Sequence, residues 1–377
     1  MSEFSRRDFL KSLGAFSALV LTERSAFPLS RIVTGGKDFE MLVVGDSVIW
    51  GQGLNEKDKF YTLTKNWLED VYFKGSRKVN LINKSHSGAR LFLSEKEIKA
   101  LTDAEKSTDK FYNQEMNFSF PSAKTQIDAA SRDYISEGKS AEDVNLIMLT
   151  GGLTDLGSSY IINPFKKNKK LRKKIDKYCN HMMFRFLEHA NQTFPNALIA
   201  VVGYFPMLSN KSSTGKIYNF VLERYGFPRP TKPIMNNIFT KQFFKPLHGK
   251  MTKRSRIWLK NSNIALQTAV NRLNKKLGRQ RAIFVRSPIV EEQSFGTKNT
   301  LLFGMAKKGR TNDFMYDLRR VECTKAINSL KDVKLKFKKR DCELSGVGHP
   351  NVEGSRAYAK AIQQRLRIAL SNNSPQK

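Results

Sequence analysis

Ser47 follows a short apolar run, Phe39–Val44, and the pair Gly45-Asp46. A serine just past a buried strand sits at the mouth of a sheet. There its hydroxyl can attack a bound carbonyl, and its N–H can face the oxyanion that develops. The natural base for such a serine at neutral pH is histidine. His349 stands in Gly348-His349-Pro350-Asn351, where the last helical pattern opens. Two other loops offer hydrogen-bond donors. Ser87-Gly88-Ala89 follows a second apolar run, and its glycine lets backbone approach a substrate closely. Gly152-Leu153-Thr154-Asp155 follows a third. The other histidines read as structural or solvated: His86 beside the second loop, His181 and His189 on a long helix, His248 in a basic stretch. No His-Glu-x-x-His, paired Cys-x-x-Cys or Gly-x-x-x-x-Gly-Lys occurs, so zinc and P-loop chemistry have no support and no metal or cofactor is expected.

These loops need a frame. Phe39–Val44, Val79–Ile82, Val144–Thr150, Ala197–Gly203 and Ala282–Val285 are short apolar runs that read as strands. Asn55–Tyr72, Ala123–Ile135, Leu171–Phe194, Ile257–Leu277 and Val352–Leu370 have helical spacing. The alternation predicts an α/β fold, a parallel sheet with helices on both faces and a site at the carboxyl ends of the strands. Residues 37–206 and 261–372 form that core. The segment 207–260 interrupts it with 12 Lys/Arg against one acidic residue, Glu223, a net charge of +11. Aromatic residues alternate with its cations, and Pro228, Pro230 and Pro233 disfavour a regular helix there. It reads as a basic insertion or lid, suited to an anionic membrane or envelope polymer surface.

Composition narrows the classes. Of 377 residues, 40% are apolar, enough to bury a sizeable core, and no run of 18 apolar residues exists to span a membrane. Lys and Arg number 66 against 34 Asp and Glu, a net charge of +32, so the surface attracts anions. Three cysteines exclude a disulfide scaffold and a four-cysteine zinc site. Cys323 and Cys342 could pair, leaving Cys179 on a helix. Residues 5–11, Ser-Arg-Arg-Asp-Phe-Leu-Lys, match the twin-arginine export signal, and a short weakly apolar stretch follows from Ser12 to Leu21. Residues 1–36 are therefore read as a signal segment, cleaved or retained as an anchor, and the protein as periplasmic or secreted. Export turns the basic surface away from nucleic acid and towards envelope anions.

The four loops, in this order, resemble the SGNH/GDSL hydrolase family. The first block is Gly-Asp-Ser followed by Trp50-Gly51-x-Gly53-Leu54; the last is His-Pro-Asn-Val-Glu-Gly-Ser-Arg-Ala-Tyr-Ala over residues 349–359. The resemblance spans residues 39–370. It implies a three-layer flavodoxin-like fold and metal-free ester hydrolysis through a serine acyl-enzyme. It also implies Ser47 as nucleophile, His349 as base, and the Ser47 and Gly88 N–H groups as oxyanion donors. Thr154 stands where the family has a third donor, an asparagine. Gly346 stands where the family has an aspartate three residues before the histidine. Asp341, Glu343 or a backbone carbonyl would then orient the imidazole. The implied substrate is an ester of a lipid or an acylated carbohydrate. The competing reading is a catalytically weak module of the same fold that binds an anionic envelope polymer or lipid surface.

Overall fold

The computed structural model describes residues 38–224 and 238–371. Residues 1–36, read above as a signal segment, lie outside the described residues, as do Pro228, Pro230 and Pro233. Five strands form one parallel sheet: β1 (Phe39–Val44), β2 (Val79–Asn83), β3 (Val144–Leu149), β4 (Leu198–Val202) and β5 (Ala282–Val285). Every residue of β1, β3, β4 and β5 is buried, as expected of strands covered on both faces. That is why they read as continuous apolar runs rather than alternating ones.

The strand order is β2-β1-β3-β4-β5, with Leu42 paired to Ile82 on one side and to Ile147 on the other. This is the doubly wound, flavodoxin-like order, and it reverses between β1 and β3. The crevice at such a reversal lies outside the carboxyl end of β1, which is where Ser47 begins the short helix α1 (Ser47–Trp50).

Eight further helices matter to the site. They are α2 (Phe60–Trp67), α3 (Ala123–Ser136), α4 (Asn168–Ile175), α5 (Met183–Thr193), α6 (Thr214–Arg224), α7 (Ile238–Leu277), α8 (Tyr316–Ser329) and α9 (Val352–Ser371). Helices α2 and α9 pack together on one face of the sheet, and α3, α4, α5 and α7 cover the other. A π-helical turn, Asp176–Met182, joins α4 to α5 and buries Cys179.

Two regions differ from the sequence reading. Helix α7 begins at Ile238, well before Ile257, and runs unbroken past residue 260. Its early turns hide the helical period because a cation holds a core position. Arg254 is 1% exposed and donates Nε to the Ile161 carbonyl at 2.8 Å and Nη2 to that of Tyr160 at 2.8 Å. Nor do the described aromatic residues of this segment face outward. Trp258 is fully buried, Tyr218 stacks edge-on with Phe244, and Phe220 packs on Phe295. Helix α8 had no apolar stripe to announce it, for Leu318 and Val321 are exposed while Arg319 and Cys323 face inward. Cys323 and Cys342 form a disulfide that ties α8 to the short helix Lys339–Glu343.

Candidate active site

The turn that carries Ser47 is fixed by Asp46. Its carboxylate caps α1 by accepting from the Val48 N–H at 3.0 Å, and it also accepts from the Thr150 and Tyr204 hydroxyls. Asp46 is fully buried; desolvation raises its pKa, and these three donors oppose the rise. Ser47 is thus held at the β1 terminus by a residue anchored to β3 and β4.

His349 reaches the same point from the other end of the chain. Its Nε2 lies 2.7 Å from Ser47 Oγ, across 302 residues of sequence. Its loop is held by backbone pairs between Leu301–Phe303 and Gly348–Asn351: the Phe303 N–H donates to the His349 carbonyl at 2.8 Å, and the Gly348 N–H donates to the Phe303 carbonyl at 2.9 Å. Burial and the nearby Arg319 guanidinium push the imidazole pKa down to about 4. At neutral pH the ring is therefore uncharged and able to accept the serine proton. Its Nδ1 is buried and has no acceptor at hydrogen-bonding geometry, although the Ser345 and Gly346 carbonyls favour a proton there.

Neither carboxylate expected to orient this ring touches it. Asp341 accepts from Arg224 Nε at 3.0 Å, and Glu343 accepts from Arg340 Nη1 at 3.1 Å. Both are drawn off by cations of neighbouring elements, which a one-dimensional count from the histidine cannot foresee.

Gly88 takes a left-handed backbone, φ +83°. A Cβ there would lie 2.5 Å from the backbone N and O of Phe118 and 2.6 Å from Asn117 Oδ1, so only glycine fits. No hydrogen bond of the Ser47 or Gly88 N–H is found among the described residues. Thr154 and Asn117 line the same cavity as Ser47 and His349. Asn117 brings a carboxamide, the group that the residue at 154 lacks. It lies in the irregular stretch between residues 103 and 122, and no motif marked it. Asp155 turns away from the cavity chemistry and accepts from the Leu91 N–H at 3.3 Å; desolvation pushes its pKa up to about 7. His86 is fully buried, with Nδ1 2.8 Å from the Ser87 carbonyl, and does not line the cavity.

The cavity has a volume of about 340 Å³. Beyond Ser47 one side of its wall is apolar, built from Ile217, Phe220 and Val221 of α6 with Phe205, Phe295 and Leu344, while Arg224 and Asp341 also line it. Behind the site lies a charged network that the sequence did not reveal. Arg319 is fully buried and donates to Glu115 at 2.8 Å, to Asp313 at 2.7 Å and to the Glu343 carbonyl at 3.1 Å. Glu115 in turn accepts from Trp50 Nε1 at 2.8 Å, and Gln52 Nε2 donates to Ser345 Oγ at 3.0 Å. The serine loop and the histidine loop are thereby fastened to one another. Among the described residues no group of three or more His, Cys, Asp or Glu could hold a metal ion.

No family model matches the sequence, and no curated protein matches it. Solved structures with a similar course of chain include an extracellular lipase from Streptomyces rimosus, at 10% identity and a TM-score of 0.43, covering 88% of this chain and 99% of that one. A phospholipase A1 from Streptomyces albidoflavus matches at 8% identity and a TM-score of 0.39, covering 87% and 99%. A family 3 carbohydrate esterase from Clostridium thermocellum matches at 11% identity and a TM-score of 0.37, covering 90% and 100%.

Proposed function

We propose that the protein is an exported serine ester hydrolase that works through a Ser47 acyl-enzyme. The observation that carries this reading is the 2.7 Å contact between Ser47 Oγ and an uncharged His349 at the head of a cavity with one apolar side. In the proposed reaction Ser47 Oγ attacks the ester carbonyl carbon and its proton passes to His349 Nε2. The carbonyl π pair moves onto oxygen, where the Ser47 and Gly88 N–H groups and a side-chain donor from Asn117 or Thr154 bind the oxyanion. Collapse expels the alcohol, which takes the proton from His349. Water then repeats the sequence on the acyl-enzyme, with His349 again as base.

The apolar wall along α6 suits the acyl part of the ester. Export is supported by the twin-arginine pattern at residues 5–11 and by the Cys323–Cys342 disulfide, which persists in oxidising compartments. A net charge of +32 supports a substrate carried on an anionic surface or polymer. Binding without catalysis is the second reading; Thr154 and Gly346 in place of the expected side chains support it. A fluorophosphonate probe and a p-nitrophenyl ester series decide between them. Ser47 is expected to be labelled, and Ser47→Ala to keep the fold and lose turnover. Full turnover in that variant would overturn Ser47 as the nucleophile, and no turnover or labelling in the wild type would favour binding without catalysis.

A further inference from the structure

Gly346 occupies the position from which a side chain would reach the imidazole three residues on. It is buried, and the space in front of it is filled. A Cβ at Gly346 would stand 2.7 Å from Asp313 Cγ, closer still to its Oδ2, and 2.9 Å from Arg319 Nη2. Asp313 reaches this place from the loop before α8. It is equally tight against the serine loop: a Cβ at Gly53 would stand 2.7 Å from Asp313 Cβ, and the Phe314 N–H donates to the Gly53 carbonyl at 3.0 Å. The carboxylate therefore sits between the two loops that present Ser47 and His349. It is 8% exposed and held by Arg319, by the Thr311 hydroxyl and by the Met315 N–H at 3.0 Å.

We propose that Asp313 is the positioning carboxylate of His349, supplied through space to the volume that a side chain at 346 would otherwise fill. Gly346 is then a requirement of the arrangement: with the carboxylate delivered from another element, the position must have no side chain. Asp313 supplies the negative charge that favours the imidazolium when His349 takes the Ser47 proton, while the Ser345 and Gly346 carbonyls keep the Nδ1 proton in place. The charged groups acting on the ring are Arg319, which opposes its protonation, and Asp313, which favours it; Arg224 and Asp341 line the cavity beyond.

The activity readouts rest on the ester-hydrolase reading; the spectroscopic one does not. With p-nitrophenyl butyrate and the full chain, Asp313→Asn is expected to keep its circular dichroism spectrum and to lose about 10²–10⁴ in kcat, the scale for neutralising a triad acid. KM is expected to stay within about threefold, as for an interaction made only in the transition state. The acid limb of kcat/KM moves to lower pH, because removing a nearby negative charge lowers the imidazole pKa. A merely structural loss would leave that limb where it was. Glu343→Gln is expected to keep wild-type kcat. Moving the carboxylate back, Asp313→Ala with Gly346→Asp, is expected to regain at least about tenfold over Asp313→Ala, whereas Gly346→Asp alone collides with Asp313 and gains nothing. Independently of turnover, 15N NMR of His349 is expected to show a lower pKa in Asp313→Asn. Wild-type kcat, or an unchanged His349 pKa, in folded Asp313→Asn would overturn the proposal. Should Asp313→Asn not fold, a folded double variant without turnover, beside an active wild type, would overturn it as well. No ester turnover in the wild type would count against the hydrolase reading and leave the NMR comparison to decide for or against Asp313.

Discussion

At Ser47 the chemistry asks for a base at Oγ and for donors where the oxyanion develops. In the proposed reaction the base is His349, whose Nε2 lies 2.7 Å from Ser47 Oγ. The donors are less evenly supplied, because Thr154 offers one hydroxyl on a short side chain. Asn117 lies against Gly88 and lines the cavity, and in the proposed reaction its amide is a candidate third donor. Asn117→Ala is accordingly expected to lower kcat by about 10²–10³ with little change in KM, the usual cost of one oxyanion donor. Steady-state kinetics of Asn117→Ala and Thr154→Ala side by side check this. A silent Asn117→Ala beside a damaged Thr154→Ala would move the third donor to Thr154.

At the scale of elements, α8 is the least conventional part of the frame. It turns Arg319 and Cys323 inward and leaves Leu318 and Val321 in solvent. An amphipathic helix is held by its apolar face. This one has only a small apolar face, Cys323, Ala326 and Ile327 in a cluster with Phe118 and Phe120, and is held besides by an ion-pair network at its start and by a disulfide further along. The Cys323–Cys342 bond closes a loop with a sequence separation of 19. Cross-links of that size stabilise by roughly 3 kcal/mol, chiefly by restricting the unfolded chain. The double replacement Cys323→Ala/Cys342→Ala is expected to lose about that much in urea unfolding. Because Asp313 and Arg319 precede and open α8, kcat is expected to fall in the same variant. A stability loss with unchanged kcat would show that the network holds α8 in register without the disulfide.

At the scale of the molecule the surface charge is the dominant feature. The segment 207–260 is the expected contact with anionic surfaces; within it Arg254 is buried and Arg256 pairs with Glu291 at 2.9 Å, while Lys245, Lys250, Lys253 and Lys260 are exposed. A second cationic patch follows the cavity-lining helix Ser158–Ile162. There Phe165 is 77% exposed, and Lys166, Lys167, Lys169 and Lys170 around it are exposed as well. An exposed ring among lysines suits a lipid headgroup region, where each cation near an anionic leaflet contributes on the order of 1 kcal/mol. Co-sedimentation with anionic vesicles is expected at 0.1 M salt. It should weaken at 1 M, where the Debye length falls from about 10 Å to about 3 Å. It should weaken also in Phe165→Ser with the four lysines changed to Gln. Equal binding to neutral vesicles, or none lost in that variant, would remove the patch from consideration.

The sheet, its order of alternation and the four site loops were legible in the sequence because each rests on local signals. Strands buried on both faces are unbroken apolar runs, and glycines mark the turns at their carboxyl ends. The Ser47–His349 pair was legible for the same reason, since each residue sits at an element boundary that the sequence announces. What tertiary structure alone decided is everything held by partners distant in sequence. The inward turn of the described aromatic residues in 207–260, Tyr218, Phe220, Phe244 and Trp258, depends on a core that Arg254 enters as a hydrogen-bonded cation. The diversion of Asp341 and Glu343 depends on Arg224 and Arg340. The carboxylate proposed to act on His349, that of Asp313, stands 36 positions before it and packs against Gly346 and Gly53 in a gap that exists because residues 53 and 346 have no side chain. A sequence records that a residue is glycine; only packing decides what fills the space it leaves.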